Sequence, residues 1–321
     1  MGVDALHQFV PTLFANDAVG SHVLMLRDLL RAHGLQSDIF AAAADDTSAP
    51  LVRPYDEFRG GPAIYQFAFG DDLADFIASH ADHLVVNSHN VTPPEYFAMW
   101  NESALALAAE RGVQQLRQLA DVSDAGLAVS SFNAAGLRDA GFTDVAVAPL
   151  LLRARLGGPI DVALLEHLRS TRRSGSVDWL FTGRIVPNKA QLDVVDAFAH
   201  FRRELDGGAR LWLVGRTDSP SYERALRRLI AELGCEASVV LTGSIPEPAL
   251  SAHLANADIF VCLSDHEGFG VPLIEAMRWS VPVVAYDAGA VGETLGGAGL
   301  LLADKAAVKV VASVAAAVEP A

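Results

Sequence analysis

"ADIFVCLSDHEGFGVPLIEAM", Ala257 to Met277, decides how the whole chain is read. Its first nine residues make an apolar run suited to a strand buried on both faces and ending at Asp265. Gly268 and Gly270 then let the backbone approach a ligand closely and expose N–H groups beside a helix N-terminus. Pro272 can open that helix, because its missing N–H would have no partner there anyway. A strand, a glycine-rich turn and a helix in this order form one step of a parallel α/β sheet. The turn also carries two acids. Glu275, in the first helical turn, suits the helix dipole; Glu267 precedes the helix and needs a partner or a purpose.

The same alternation extends in both directions. "VDWLFTG", "ARLWLVG", "SVVLTG", "PVVAYD" and "AGLLL" are further strands of the second half, and "ALHQFV", "SDIFAAA", "AIYQFAF", "HLVVNSH", "AGLAVSS" and "DVAVAPL" repeat the pattern in the first. Between them, residues 220–233 show a helical face of Tyr222, Leu226, Leu229, Ile230 and Leu233, opened by Ser219 and Pro220 and closed by Gly234. The alternation breaks at "PLLLRARLGGPI" and "TRRSGS". The expected organisation is therefore a first Rossmann-like domain over 1–150, a linker region over 151–175 and a second Rossmann-like domain over 176–321. In such sheets ligands sit beyond the carboxyl ends of the strands, so two doubly wound domains are expected to face one central cleft.

Composition removes several classes of function. A chain of 321 residues suits two domains. The net charge of -15 repels a phosphate polymer, so no nucleic-acid partner is expected. No apolar stretch reaches membrane-spanning length and the opening "MGVDALHQFV" lacks a signal peptide's pattern, which predicts a cytoplasmic protein. Arginines gather at Arg169, Arg172 and Arg173, and at Arg224, Arg227 and Arg228; they are read as solvated helix faces, with peripheral contact at the inner face of a membrane as the alternative. The two cysteines suggest neither a disulfide framework nor a metal knuckle. His80, Asp82, His83 and His89 lack the spacing of a metal site, so no metal is expected. Ser264, Asp265 and His266 are triad residue types without a nucleophile elbow. No Gly-x-Gly-x-x-Gly follows a first strand, which counts against a nicotinamide enzyme.

Carboxylates accept hydrogen bonds from sugar diols, whereas beside a diphosphate they need cations to balance it. "FTGRIVPNK" supplies Arg184 and Lys189 directly after the first strand of the second half, at the same sheet edge. Together these residues resemble the retaining glycosyltransferases of family 4, which have the GT-B fold. Glu267 and Glu275 stand at the separation of that family's paired glutamates, and "EGFGVPLIEAM", "GRIVPNK" and "VPVVAYDAGAVGETLGGAGLLL" follow its wording. In the first half, "QFVPTLFANDAVGSHVLMLRDLLRAHG" and "SHNVTPPEYF" resemble bacterial members that build surface polysaccharides. The likeness spans about residues 5–302.

The resemblance implies Arg184 and Lys189 on the donor diphosphate, Glu275 on the ribose diol and Glu267 facing the transferred sugar. It places Gly268, Phe269, Gly270 and Val271 along the donor, with Arg216 and Ser244 bordering the base. Gly20 would lie in the first loop near the phosphate, although Val19 stands where many members have a second glycine. His89, at the end of its strand, corresponds to a histidine that meets a donor-sugar hydroxyl; without the resemblance it reads as a histidine satisfied by a loop carbonyl. A further departure is the ending, one helix after the last strand, where many members continue back onto the first domain. The expected function is a metal-independent, cofactor-free hexosyltransferase using a nucleoside diphosphate sugar in polysaccharide or glycoconjugate assembly. Its acceptor would be a saccharide, a lipid-linked sugar or a small molecule. The alternatives are an epimerase or hydrolase of the same fold, and a non-catalytic nucleotide-sugar-binding subunit.

Overall fold

The computed structural model describes residues 4–14, 17–152 and 158–319. Residues 153–157, in the stretch expected to join the domains, lie outside the described residues. The chain divides into two units, one of Met1–Ala98 and Ser103–Ala154, the other of Met99–Glu102 and Arg155–Ala321.

In the first unit the strands are β1 (His7–Leu13), β2 (Ile39–Ala44), β3 (Arg53–Pro54), β4 (Pro62–Phe67), β5 (His83–Ser88), β6 (Ala125–Ala128) and β7 (Val145–Val147). They form one sheet in the order β3-β2-β1-β4-β5-β6-β7, and every pairing is parallel. The helices are α1 (Ala18–Ala32), α2 (Asp72–His80), α3 (Glu95–Ala98), α4 (Ser103–Val122) and α5 (Ser131–Asp139). Phe9, Phe40, Phe58, Tyr65 and Phe67 anchor the core. The short β3 was not legible in the sequence: it is a two-residue edge strand containing Pro54, whose ring cannot donate to a ladder.

In the second unit, β8 (Asp178–Thr182), β9 (Arg210–Val214), β10 (Val239–Gly243), β11 (Ile259–Cys262), β12 (Val283–Tyr286) and β13 (Leu300–Leu302) are ordered β10-β9-β8-β11-β12-β13, again all parallel. Its helices are α6 (Val162–Ser170), α7 (Gln191–Glu204), α8 (Pro220–Glu232), α9 (Glu247–Asn256), α10 (Val271–Arg278), α11 (Val291–Leu295) and α12 (Ala307–Val318). Strands β8 and β11 are buried throughout, which is why "DWLFT" and "IFVC" read as continuous rather than alternating runs.

Helix α8 begins where Ser219 and Pro220 predict, yet Ser219 does not cap it. The capping acceptor is Glu102, distant in sequence. Its carboxylate accepts from the Ser219 hydroxyl at 2.8 Å, the Ser221 amide at 3.1 Å and the Ser221 hydroxyl. Trp100 packs edge-on against Tyr222, with ring centroids 4.8 Å apart. A negative carboxylate at a helix N-terminus meets both its free N–H groups and its dipole. Among the described residues, no helix is long and apolar enough to cross a membrane.

Candidate functional site

In the second sheet the chain leaves β8 and returns at β11 on its other side, and at that reversal two loops meet beyond the carboxyl ends of the strands. The loop after β8 ends in a short turn at Pro187–Lys189 and then Ala190, whose backbone is left-handed with φ of 52°. The loop after β11 is the acidic, glycine-rich turn. They are tied together: the Asp265 amide donates to the Asn188 carbonyl at 2.9 Å, and the Asn188 side chain donates to the His266 carbonyl at 3.3 Å.

This pairing brings Lys189 to Glu267, Nζ to Oε1, at 2.6 Å, with side chains only 17% and 10% exposed. The first acid of the turn thus has its partner. Its backbone is propped from the next loop, where the Ala290 amide donates to the Glu267 carbonyl at 2.9 Å. Gly289 is left-handed there, with φ of 60°, and any Cβ on it would stand 2.3 Å from that same carbonyl oxygen. The Thr294 hydroxyl donates to the Phe269 carbonyl, and Gly270, with φ of 85°, caps α10 just before Val271.

The second acid behaves differently: it lies beyond the first turn of α10, not in it as the sequence suggested, so the helix dipole does not account for it. Glu275 has no hydrogen bond to its carboxylate among the described residues, and burial pushes its pKa up to about 7, against a small opposing pull from Arg278 and with Glu247 adding to the rise. A carboxyl group poised between its two protonation states near neutral pH is the kind of departure that accompanies ligand sites.

Arg184 and Arg216 converge on one carboxylate, Asp218, at 3.4 and 2.6 Å. Both arginine side chains are about half exposed, and Asp218 is 16% exposed. Ser244, after β10, is exposed. Asp218 carries no motif and was missed in the sequence, Asn188 lies within "GRIVPNK" but was given no role, and Lys305, which bridges Asp193 and Asp265 at 2.5 and 2.6 Å, was missed as well. Asp265 is thereby committed to a structural pair, while the Ser264 hydroxyl lies 3.4 Å from the buried Cys262 sulfur.

The first unit holds Gly20 and His89. Gly20 is buried in the first turn of α1, and its N–H donates to the Asp17 carboxylate at 2.6 Å. A Cβ at Gly20 would stand 1.8 Å from the Phe14 carbonyl oxygen, so glycine here permits the helix to close on β1's exit. His89 follows β5, and Asn90 after it is left-handed with φ of 89°. The imidazole is not satisfied by a loop carbonyl. Its Nε2 lies 2.7 Å from Gln66 Oε1, while its Nδ1 is buried with no partner. Burial, with the nearby His22 adding, lowers its pKa to about 3, so it stays neutral in ordinary buffers. Gln66, Asn87, Gln8 and His22 surround it and were missed; the available signal was a glutamine inside each of the otherwise apolar runs "ALHQFV" and "AIYQFAF". The other histidines of the first unit do not gather: His80 stacks on Phe76 at 4.0 Å, and His83 lies 3.4 Å from Asp124.

Residues 176–319 match the sequence model of a family described as Glycosyl transferases group 1. A GDP-mannose-dependent alpha-(1-6)-phosphatidylinositol monomannoside mannosyltransferase of Mycobacterium tuberculosis is 35% identical over 143 residues, 42% of this chain and 36% of that protein. A GDP-mannose:cellobiosyl-diphosphopolyprenol alpha-mannosyltransferase of Xanthomonas oryzae is 30% identical over 209 residues, 65% of this chain and 50% of that protein. The chain thus spans between about a third and a half of the length of these two curated relatives. The crystal structure of Anabaena HepE with UDP and glucose superposes with a TM-score of 0.68 at 17% identity, covering 98% of this chain and 93% of that one. The two parallel sheets are those of the GT-B fold.

Proposed function

We propose that the chain is a retaining glycosyltransferase that moves a hexose from a nucleoside diphosphate sugar to an acceptor hydroxyl, without a bound metal, in polysaccharide or glycoconjugate assembly. The observation that carries this reading is the Lys189–Glu267 pair in the turn before a glycine-capped helix at the sheet's reversal point, with the buried Glu275 further along that helix. An ammonium has three donors and Glu267 occupies one, so Lys189 can also meet a phosphate oxygen. Arg184 adds a second cation. As the glycosidic bond breaks, negative charge grows on the leaving diphosphate, where Lys189, Arg184 and the helix amides lower its energy. Glu275 accepts from the ribose diol. Glu267, His89 and the amides of Gly268, Phe269, Gly270 and Val271 orient the transferred sugar, while Arg216 and Ser244 border the base and Gly20 the phosphate.

Two relatives are named for GDP-mannose, which makes it the first donor to try. Melting curves with GDP-mannose, UDP-glucose and a dTDP-sugar test the site directly. At about 100 times its dissociation constant the right donor stabilises by roughly 2.7 kcal/mol. The expected result is a shift with one base and sugar transfer from that donor to a lipid-linked or soluble saccharide. No shift with any nucleotide sugar overturns the reading, and release of free sugar without an acceptor product would make the protein a hydrolase.

His89→Ala should reduce kcat by roughly tenfold to a hundredfold, the worth of one well-placed hydrogen bond in the transition state. Calorimetry with the free nucleotide should remain near wild type. Full turnover in a normally melting variant would remove His89 from the site.

A further inference from the structure

We infer that Gln66 is a positioning residue for His89: a file of buried amides, fixed at the Val23 carbonyl, holds the imidazole with its proton on Nε2 and its lone pair on Nδ1. The inference rests on the proposed role of His89 toward a sugar hydroxyl, but the tautomer itself can be measured independently.

The orientation follows from one backbone atom. A carbonyl only accepts, so the Gln8 side chain must present its nitrogen to the Val23 oxygen, 3.0 Å away. That turns Gln8 Oε1 toward Gln66, which must answer with its own nitrogen, at 2.9 Å. Gln66 Oε1 therefore faces the other way, accepting from the Asn87 amide at 2.9 Å and standing 2.7 Å from His89 Nε2. An oxygen without a hydrogen can only accept, so Nε2 carries the proton. A neutral imidazole has one, which leaves Nδ1 as an acceptor.

Three further observations fit. Gln8 and Gln66 are fully buried and Asn87 is 2% exposed, so water does not compete for these bonds. The titratable group facing His89 is His22, with ring centroids 5.5 Å apart, and the Leu151 amide donates to its Nδ1 at 3.0 Å. His89 Nδ1 is buried and meets no protein donor among the described residues. A buried acceptor left unmatched costs free energy, and a ligand hydroxyl donating to Nδ1 would recover it. The opposite tautomer would present N–H to the same ligand and could only meet an acceptor. The file thus selects which hydrogen-bonding partner His89 recognises, with Gln8 and Gln66 as its fixed links.

Selective nitrogen-15 labelling of histidine reads the tautomer without any substitution. The expected spectrum shows His89 Nε2 protonated and Nδ1 as an unprotonated, pyridine-like nitrogen. A protonated Nδ1 in the wild-type protein overturns the inference. Gln66→Met keeps the volume and removes the acceptor, so His89 should populate both tautomers and kcat should fall by roughly tenfold while nucleoside diphosphate affinity holds. Unchanged tautomer and turnover in that variant also overturn it. Gln66→Glu adds a second readout. Its neutral acid reproduces the glutamine's donor and acceptor, while its ionised form, which grows as pH rises, has lost the donor and opposes Gln8 Oε1, which breaks the file. Turnover should therefore fall as pH rises, relative to wild type; a profile parallel to wild type counts against the file. Should Gln66→Met fail to fold, Gln8→Leu, which frees Gln66 to turn over, replaces it. An active His89→Ala defeats the proposed role of His89 while leaving the measured tautomer intact. An inactive His89→Ala beside a fully active Gln66→Met defeats only the file.

Discussion

Lys189→Ala lowers the stability of the second unit by about 3–5 kcal/mol, because it leaves the Glu267 carboxylate buried and uncompensated. Glu267 is 8% exposed and, among the described residues, Lys189 is its one ion-pair partner, at 2.6 Å. The same substitution removes a phosphate contact, so loss of nucleotide binding in this variant alone would mix two effects. The double variant Lys189→Met, Glu267→Gln separates them: it should recover most of the stability and none of the diphosphate affinity. Denaturant midpoints of Lys189→Met, of Glu267→Gln and of the double give the coupling free energy. Additive effects would mean that the pair contributes nothing, and that the acidic turn needs no cation to fold.

Glu275→Gln moves stability and binding in opposite directions. The rise of its pKa from 4.5 to about 7 corresponds to roughly 3 kcal/mol against the ionised form in the folded state. Because the folded value lies above the unfolded one, this group's contribution is fully present below about 4.5 and is lost as pH rises through about 7. Wild type and variant should therefore melt alike near pH 4.5, while above about pH 8 the glutamine variant should be the more stable by roughly 3 kcal/mol. Nucleotide affinity should fall, since an amide reproduces only part of a carboxylate's capacity to accept from two hydroxyls. Parallel stability curves for the two proteins across this range would show that Glu275 ionises freely. In that case its burial has no bearing on the site.

Apart from the two-residue β3, the strands of both sheets were legible, the inner ones because parallel strands covered on both faces must be apolar along their length; β8 and β11 are the clearest cases. The acidic turn was legible because glycine and proline mark where the backbone does something that other residues resist. What escaped was whatever depends on two distant segments meeting. Nothing near Ser219 in sequence announces Glu102, nothing near Arg184 announces Asp218, and the stretch 151–175 conceals the helix α6 behind a broken alternation. Gln8 and Gln66 left a trace, a polar residue in a strand core, but their partnership depends on β1 and β4 being neighbours. Pairing those two strands, which are separated in sequence by β2 and β3, requires the sheet order.

The four-residue insert Met99–Glu102 bears on how this protein can be divided. A cut near residue 155 looks clean, since every strand from β8 onward lies beyond it. The fragment would nevertheless begin without the carboxylate that closes the first turn of α8 and without the indole that covers Tyr222. The second unit is discontinuous along the chain, so swapping it between relatives as a cassette demands two junctions more than a linear map suggests. A chimera joined at residue 155 inherits its α8 cap from whichever parent supplied the first half.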